Sequence, residues 1–454
     1  MSWVHEGFGD TTELRVYHSR RVFRDGTPDG VEIDLGDGLR ARVPIALPAR
    51  DGHSIGDDAA LASWWQRIEM RPRSRGFERL DGIADVVVVW NVLEHFWPYW
   101  DDVQIDWNRE LDVALADALG DRTLDEHLAT LQRLSAALPD GHARVTCPGI
   151  DRRGEPPLAL DSIDGQLVVV SSNDPRVQRG DVVVAIDGVT AVDSLARFQA
   201  RMSGSPQLVL SRAMHQILAG ATGSLVHVRI RRGASDIDVD MRRGDHVSVP
   251  EDARLPFEQL DDGVWYVDLS RISLDQFPAL EDALVRAPGV VFDMRHYPQP
   301  NDHVVSLLLT EDETSGWLDL PRFTRPDHVG VEWTHPTAPW TFDRSRHISG
   351  RVAFLIGPRQ LSYGESLLGV VAYRHLGAIV GAPTAGINGN IAGIDEPTGC
   401  QTSFTGMRVT NHDGTRLYQI GIRPTVPVTP TLAGIRAGVD EVLEAGLRAM
   451  RGGA

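Results

Sequence analysis

The sequence predicts a multidomain α+β protein whose C-terminal part is a layered β-α-β domain. Its 454 residues are too many for one ordinary domain. The composition, with 42% hydrophobic and 24% charged residues, is that of a globular protein able to bury several cores. From about residue 257 onward, short β-branched runs alternate with helical patterns, which is typical of a largely buried sheet covered by helices.

Charge and composition exclude several classes of partner. The formal net charge of -18 argues against nucleic acid or an anionic membrane, since phosphate binding needs a basic face. No apolar run approaches the roughly 18 residues of a membrane span, and the start MSWVHEGFGDTTELRV shows no secretory signal pattern. The two cysteines, Cys147 and Cys400, are typical of a reducing compartment and predict no disulfide framework. We therefore expect a cytoplasmic protein.

The chain contains no lysine, because all 45 residues of the Lys+Arg count are arginine. Compositional bias is sufficient to explain this absence. Its chemical consequence is that no neutral amine base and no Schiff base can form. Arginine cannot take the place of lysine, because its guanidinium does not lose a proton at usable pH.

The first part of the chain divides into two predicted regions. Residues 1–80 are predicted to form an N-terminal β-rich subdomain, from strand-like runs such as GVEIDLGDGLRARVPIAL with Gly-rich turns. Residues 81–150 are predicted to form a helical region that ends in a D-G-H turn. Within it, LDEHLATLQRLSAAL places one apolar stripe on a helix, made of Leu124, Leu128, Leu131, Leu134 and Leu138. The aromatic stretch WNVLEHFWPYW is expected to pack between helices rather than to bind a ligand.

Residues 155–247 are predicted to form a separate small β-rich module. The runs GQLVVVSS, GDVVVAIDG and SLVHVRIRRG predict strands, and AVDSLARFQARM predicts a short helix. The stretch RGDVVVAIDGVTAVD resembles the signature of bacterial PDZ domains. A PDZ-like domain would bind an extended peptide at the edge of its sheet, although a structural or gating role is equally open.

Residues 255–454 are predicted to form the α/β domain. The expected strands are GVWYVDLS, GVVFDMR, RVAFLIGP and GAIVGAP, and the expected helices are LDQFPALEDALVRA and SYGESLLGVVAYRHL. A Pro-rich passage and a single terminal helix complete the domain.

Ser362 lies between the strand VAFLIGP and a helix, in the motif SYGE. The S-x-x-E spacing fits a helix capping box, in which the serine only satisfies a backbone N–H. It also fits a nucleophile presented at a sheet edge, with the N–H of Tyr363 as a donor to an oxyanion. A serine nucleophile needs a base, and His142 in the turn LPDGHARV is the best candidate, because imidazole transfers protons near neutral pH.

Five motifs in order give the chain a specific resemblance. The stretches LPDGHARV, VVFDMRHYPQPN, LSYGES, AIVGAPTAG and IGIRPTVPVTPT, with the PDZ-like block after the first, resemble the serine peptidases of the carboxyl-terminal processing and tricorn core family. The resemblance covers about residues 80–454. It implies a crotonase/ClpP-like core and cleavage of peptide or protein chains, with a homo-oligomer left open.

The resemblance also implies which mechanistic form applies. The form with a Ser–Lys dyad has its lysine directly after T-x-G, where this chain has Ile387, and the chain has no lysine. The tricorn-like form pairs the serine with the histidine of the D-G-H turn. We therefore expect Ser362 as nucleophile and His142 as general base.

Two departures from the family pattern concern the oxyanion loop and the acidic member of the tricorn-like tetrad. Two glycines of the loop are replaced here by Gln299, whose N–H is expected to bind the oxyanion, and by Pro300, which has no N–H. No carboxylate precedes GIRP. Tyr418 and Gln419 stand there instead, as candidates for a relay or positioning role.

Four further polar residues receive structural interpretations. Glu365 is expected to cap the helix rather than to act in catalysis, and Asp140 is expected to form the turn before the histidine. Asp293 and Arg295 are expected to position the loop that carries Gln299.

No metal site or cofactor is expected, since the sequence has no H-E-x-x-H or C-x-x-C motif and no G-x-G-x-x-G after a strand. Two alternatives to a peptidase stay open. One is a serine-dependent acyl transferase or esterase that acts on a non-peptide substrate. The other is a catalytically decayed protein that binds a small ligand or a peptide on the same scaffold.

Overall fold

The structure is a computed structural model that describes most of the chain. The described residues are 2–9, 16–22, 30–51, 53–54, 58–69, 77–150, 154–244, 254–273, 275–314, 316–325, 330–335 and 340–451. Among them, no helix has both the length and the apolar character needed to cross a membrane.

The N-terminal residues form strands and one helix. Their bounds are β1 (Ser2–Glu6), β2 (His18–Val22), β3 (Gly30–Gly36), β4 (Leu39–Pro44), β5 (Ala49–Arg50), β6 (His53–Ser54) and α1 (Asp58–Glu69). Strands β3 and β4 pair as an antiparallel hairpin, as the alternation around the turn LGDG predicts. The sequence also predicts a strand in the run ELRVYHSRRVF, residues 13–23. Residues 18–22 of this run form β2, and residues 13–15 and 23 lie outside the described residues.

The helical region follows as predicted, with α2 (Arg79–Phe96), α3 (Trp107–Gly120) and α4 (Leu124–Ala136). Thr123 caps α4 by accepting the N–H of Glu126 at 3.2 Å. The predicted leucine stripe faces the core, with Leu131 and Leu138 fully buried. The aromatic stretch also packs in the core, as expected, and Trp97 is buried there.

The next residues form the small β-rich module. Strand β7 (Arg144–Thr146) precedes it, and its elements are β8 (Leu158–Ile163), β9 (Gln166–Ser172), β10 (Val182–Ile186), β11 (Val189–Thr190), α5 (Ala191–Gln199), α6 (Pro206–Gln216), β12 (Leu225–Arg232) and β13 (Ser235–Arg242). The sheet order is β13-β12-β10-β9-β8, with an apolar core of its own. The sequence analysis missed α6, although Ser205 followed by Pro206 is a helix-start signal. The relation of the β-rich module to PDZ domains stays a prediction.

The C-terminal residues complete the fold. Their elements are β14 (Phe257–Gln259), β15 (Trp265–Asp268), α7 (Pro278–Arg286), β16 (Gly289–Met294), α8 (His303–Ser306), β17 (Leu318–Phe323), β18 (Glu332–Thr334), β19 (Arg351–Ile356), α9 (Tyr363–Tyr373), β20 (Ala378–Gly381), β21 (Ile391–Asp395), β22 (Gln401–Thr405), β23 (Arg408–Val409), β24 (Val426–Pro427), α10 (Leu432–Ala437) and α11 (Glu441–Arg451). The main sheet has the order β14-β15-β16-β19-β20-β24 and is parallel from β15 to β24. Every residue of β16 is buried, as a parallel sheet with covered faces requires.

Two further sheets join distant parts of the chain. Strand β1 pairs with β17, and the buried Tyr17 donates its hydroxyl to the carbonyl of Asn390 at 2.6 Å. Strand β7 pairs with β22, so the residues after the D-G-H turn share a sheet with the C-terminal part. The domain boundaries stay a prediction. The β1–β17 and β7–β22 pairings each join strands from different predicted domains.

The structure corrects two expectations. The predicted terminal helix is two helices, α10 and α11, because Gly438 adopts a left-handed conformation with φ 71° and ends the first. The expectation of no disulfide is wrong, since Cys147 and Cys400 are bonded. The cytoplasmic location stays a prediction, and the cysteines no longer support it.

Candidate active site

Ser362 occupies a strained position between β19 and α9. Its backbone has φ 53° and ψ -120°, which is rare for a residue with a side chain. Its N–H is donated to the carbonyl of Ile387 at 2.7 Å. The hydroxyl makes no capping hydrogen bond to α9, so the capping interpretation of the serine is wrong. The hydroxyl is thus held at a helix start without being used by the helix.

Glu365 holds a loop rather than mainly capping the helix. Its buried carboxyl accepts the N–H of Gly386 at 2.6 Å, the N–H of Ile387 at 2.9 Å and the hydroxyl of Thr384. Burial raises the pKa of Glu365 to about 8. The three donors just named oppose part of this rise, and the backbone N–H of Ser362 opposes it to the smallest extent. Glu365 therefore fixes the loop whose carbonyl at Ile387 holds the backbone of Ser362.

His142 is buried and its ring has one specific partner. The Nδ1 atom of His142 lies 2.9 Å from the hydroxyl of Thr405, and that hydroxyl donates to a carboxylate oxygen of Asp140 at 2.6 Å. Because the proton of Thr405 goes to Asp140, the hydroxyl accepts from Nδ1–H of His142. The hydrogen-bond network therefore places a proton on Nδ1, so that the neutral ring carries its lone pair on Nε2, the form that a general base requires.

Asp140 is more than the turn former that the sequence predicts. It does shape the turn, by accepting the N–H of His142 at 2.9 Å. It also accepts the N–H of Thr405 at 2.7 Å and the indole N–H of Trp97 at 3.1 Å, and it is 1% exposed. Burial lowers the pKa of His142 and Asp140 opposes this effect, so the imidazole is mainly neutral near pH 7.

Ile387 links Ser362 to the turn that carries His142. A Cβ added at Gly141 would lie 2.7 Å from Cγ1 of Ile387 and 2.5 Å from Cδ2 of Leu208, so only glycine fits there. Ile387 accepts the N–H of Ser362, as described above. The side chain at the position of the family's lysine therefore packs on the D-G-H turn, while its backbone holds the serine.

The β-rich module contacts this turn directly. The hydroxyl of Ser203 accepts the N–H of Asp140 at 2.8 Å and donates to the carbonyl of Leu138. The hydroxyl of Ser205 donates to the carbonyl of Ala385 at 2.5 Å. The start of α6 thus bridges the D-G-H turn and the loop that Glu365 holds.

Tyr418 and Gln419 position the turn, and they are not the partners of the His142 ring. The hydroxyl of Tyr418 donates to the carbonyl of Pro139 at 3.0 Å, and the side-chain amide of Gln419 donates to the same carbonyl at 2.5 Å. The ring of Tyr418 stacks on Tyr99 with centroids 4.0 Å apart. The ring partner, Thr405, was missed, because it lies 263 residues from His142 and carries no motif.

Arg295, at the start of the loop after β16, is paired with two carboxylates. Its guanidinium pairs with Asp293 at 2.5 Å and with Asp440 at 2.9 Å, just before α11. Tyr266 donates its hydroxyl to the same buried Asp293 at 2.8 Å.

Gln299 is the predicted site residue whose role the structure does not support. Its N–H is donated to the carbonyl of Leu269 at 2.8 Å, and its side-chain amide to the carbonyl of Ser270 at 3.1 Å. That N–H is therefore not free to bind an oxyanion in this conformation. Further along the loop, the N–H of Asn301 is donated to the hydroxyl of Tyr363 at 2.8 Å, which fastens the loop to α9.

Among the described residues, one buried cluster has side chains of the types that bind metal ions, and it does not include Ser362 or His142. Ligand atoms of Asp85, Glu396 and Cys400 lie within 4.8 Å of one another. The sulfur of Cys400 is committed to the disulfide, and Asp85 already pairs with His127 at 3.1 Å.

Comparisons with known proteins place the fold. No family model matches the sequence, and no curated protein sequence matches it. Mature CPAF is similar with a TM-score of 0.67 at 14% identity, over 82% of this chain and 98% of that one. The complex of mature CPAF with lactacystin is similar with a TM-score of 0.66 at 14% identity, over 82% of this chain and 99% of that one. A candidate peptidase from Parabacteroides merdae is similar with a TM-score of 0.50 at 14% identity, over 81% of this chain and 96% of that one.

The chain therefore has a fold found in the carboxyl-terminal processing and tricorn core family, to which CPAF belongs. This confirms, for the fold, the resemblance predicted from five short motifs.

Proposed function

We propose that this protein is a serine peptidase in which Ser362 is the nucleophile and His142 the general base. The observation that carries the proposal is the buried chain from His142 through Thr405 to Asp140. It orients the imidazole and leaves Nε2 free, as a base for a serine hydroxyl requires. The shared contacts of Ile387 with Ser362 and with the D-G-H turn support their pairing.

The reaction proceeds through an acyl-enzyme. The Oγ atom of Ser362 attacks the peptide carbonyl carbon while its proton passes to Nε2 of His142, and the N–H of Tyr363 binds the oxyanion. The imidazolium that forms keeps its Nδ1 proton on Thr405, and the Asp140 carboxylate stabilises its charge. His142 then protonates the leaving amine, the C–N bond breaks, and water releases the acyl group with His142 again as base.

The proposed substrate is an extended peptide or protein chain. The fold shared with mature CPAF and with the candidate peptidase supports this class of substrate. The β-rich module supports it as well, since a sheet edge of a PDZ-like domain would align such a chain. Its contacts with Asp140 through Ser203 would then couple chain binding to the site.

Labelling by a fluorophosphonate tests the proposal. Wild-type protein is expected to form one adduct on Ser362, and Ser362→Ala is expected to form none while its thermal unfolding is unchanged. The exposed serine variant Ser345→Ala is the matched control and should label like wild type. Full labelling of Ser362→Ala would remove Ser362 from the mechanism.

The engaged amide of Gln299 favours one second candidate, a serine-dependent acyl transferase or esterase on a non-peptide substrate. An activated ester needs less oxyanion stabilisation than a peptide, and the loop offers fewer backbone donors. Turnover of ester but not peptide libraries, lost in Ser362→Ala, would identify this activity. Absence of both, with an apolar ligand bound, would instead identify a decayed binding protein.

A further inference from the structure

A buried cluster of acidic side chains lies against the disulfide. Ligand atoms of Asp85, Glu396 and Cys400 all lie within 4.8 Å of one another, and the three residues are buried. Glu396 is 5% exposed, yet neither of its carboxyl oxygens makes a hydrogen bond with a described residue. Burying a carboxyl without a partner costs free energy, and a bound cation would offset that cost.

Asp85 is held in place from two sides, as carboxylates that bind metal ions are. Its Oδ2 atom lies 3.1 Å from Nε2 of His127, and Nδ1 of the same ring lies 3.1 Å from Asp121. Its Oδ1 atom accepts the N–H of Thr398 at 3.1 Å. Because a carboxylate oxygen can accept two hydrogen bonds, Oδ1 keeps a lone pair for a further partner.

The disulfide decides whether sulfur can take part in this cluster. In the oxidised protein Cys400 is bonded to Cys147, so neither sulfur is available as a thiolate. Reduction turns both sulfurs into thiols, which bind metal ions as thiolates. Cys147 and the turn 397–399, just before Cys400, are partly exposed, which gives a reductant and an ion access to the cluster.

We propose that reduction of the disulfide converts this cluster into a zinc site, with the thiolates of Cys147 and Cys400 and the carboxylates of Glu396 and Asp85 as ligands. Two thiolates and two carboxylate oxygens suit the tetrahedral preference of Zn²⁺. The reductant is a dithiol, which supplies two electrons and two protons and becomes a disulfide itself. The bond between Cys147 and Cys400 breaks into two thiols, and Zn²⁺ displaces one proton from each.

The zinc ion would replace the disulfide as the link between two strands. Cys147 follows β7 and Cys400 precedes β22, and the pairing of these strands brings His142 to Thr405. In a reducing environment, where a disulfide is not retained, the ion would keep the strands together. Zn²⁺ should therefore restore thermal stability that reduction removes, because an ion that binds only the folded state stabilises it.

Cobalt(II), which occupies tetrahedral thiolate sites as zinc does and absorbs light there, tests the proposal. The full chain is reduced with dithiothreitol, freed of the reductant under nitrogen, and titrated with Co²⁺ and then with Zn²⁺. Reduced wild type is expected to bind one Co²⁺ with a thiolate-to-cobalt charge-transfer band, which one equivalent of Zn²⁺ removes. The oxidised protein is expected to show no such band.

Glu396→Gln keeps the shape of the side chain and removes its charge, so it is expected to weaken Co²⁺ binding by the reduced protein at least about tenfold. Asp395→Asn is the matched control and should bind like wild type, because this neighbouring carboxylate is exposed and accepts the side-chain amide of Gln401 at 2.8 Å. Zn²⁺ should raise the thermal unfolding midpoint of reduced wild type but not that of Cys147→Ser/Cys400→Ser.

Three results would overturn the proposal. Reduced protein with two free thiols and no charge-transfer band binds no metal ion at this place, whether or not the chain stays folded. A band with unchanged affinity in Glu396→Gln would show thiolates that bind the ion without the acidic cluster. Equal affinity of the oxidised protein would show that the disulfide does not control the site. The labelling of Ser362 is unaffected by each of these results.

Discussion

At the scale of single residues, the site depends on where protons are held. His142 is buried and donates Nδ1–H to Thr405, whose own proton goes to Asp140. A carboxylate acting through a hydroxyl stabilises the imidazolium less directly than a carboxylate in contact with the ring. The burial that lowers the pKa of His142 therefore outweighs the opposing effect of Asp140.

The pH dependence of catalysis follows from this balance. In the proposed mechanism the neutral imidazole is the active form. Since burial lowers its pKa, kcat/KM is expected to fall on the acid side with a midpoint below about 6.5. Thr405→Val removes the acceptor for Nδ1–H, which further disfavours the imidazolium. We expect its kcat to fall at least about tenfold and its acid midpoint to move lower.

The exposed threonine variant Thr415→Val is the matched control for that profile. A pH–rate profile of Thr405→Val identical to that of wild type would separate Thr405 from catalysis.

The sequence predicts some of these residues and misses others for a physical reason. Ser362 and His142 were predicted because a strand-turn-helix junction and a D-G-H turn are local patterns. Thr405 was missed because only the pairing of β7 with β22 brings it to the ring. The lack of a free N–H at Gln299 depends on its bond to Leu269, which no local pattern reveals.

At the scale of elements, the D-G-H turn, the loop after β20 and the first turn of α6 pack so closely that no side chain fits between them at Gly141. Gly141 packs against both Leu208 of α6 and Ile387 of the loop after β20. Any side chain there would push the D-G-H turn away from one of these neighbours.

Gly141→Ala tests this close packing. Its Cβ would lie 2.5 Å from Leu208, so we expect destabilisation by about 1–3 kcal/mol and a loss of kcat of at least about tenfold. Gly120→Ala is the matched control, since its Cβ would meet nothing within 4 Å. Urea unfolding and ester hydrolysis measure the two effects. Equal values for the two variants would contradict the packing argument.

Most elements of the C-terminal domain were predictable, because buried parallel strands and their crossover helices have distinct periodicities. The terminal helix was predicted as one because its apolar pattern continues through Gly438. Only the left-handed conformation of that glycine reveals the break.

At the scale of the whole molecule, distant segments must be brought together before any chemistry is possible. The Cys147–Cys400 disulfide joins residues 253 positions apart, directly after β7 and directly before β22. Strand β7 begins two residues after His142, and β22 ends with Thr405. The disulfide therefore fastens the sheet that brings the His142 ring to Thr405.

Reduction of this disulfide is expected to lower the free energy of unfolding by about 2–5 kcal/mol and to slow acylation. The measurement is urea unfolding with and without a reductant, together with the acylation burst. The double variant Cys147→Ser/Cys400→Ser should match reduced wild type and show no further response to the reductant. Unchanged stability on reduction would show that the disulfide does not hold the two strands.

The central claim is that His142 and Ser362 act on the same substrate atom, and a crystal structure of the phosphonylated protein tests it most directly. We expect phosphorus bonded to Oγ of Ser362, with Nε2 of His142 about 3 Å from that oxygen. The phosphoryl oxygen should accept the N–H of Tyr363. An adduct on Ser362 with the His142 ring pointing away from it would contradict the account.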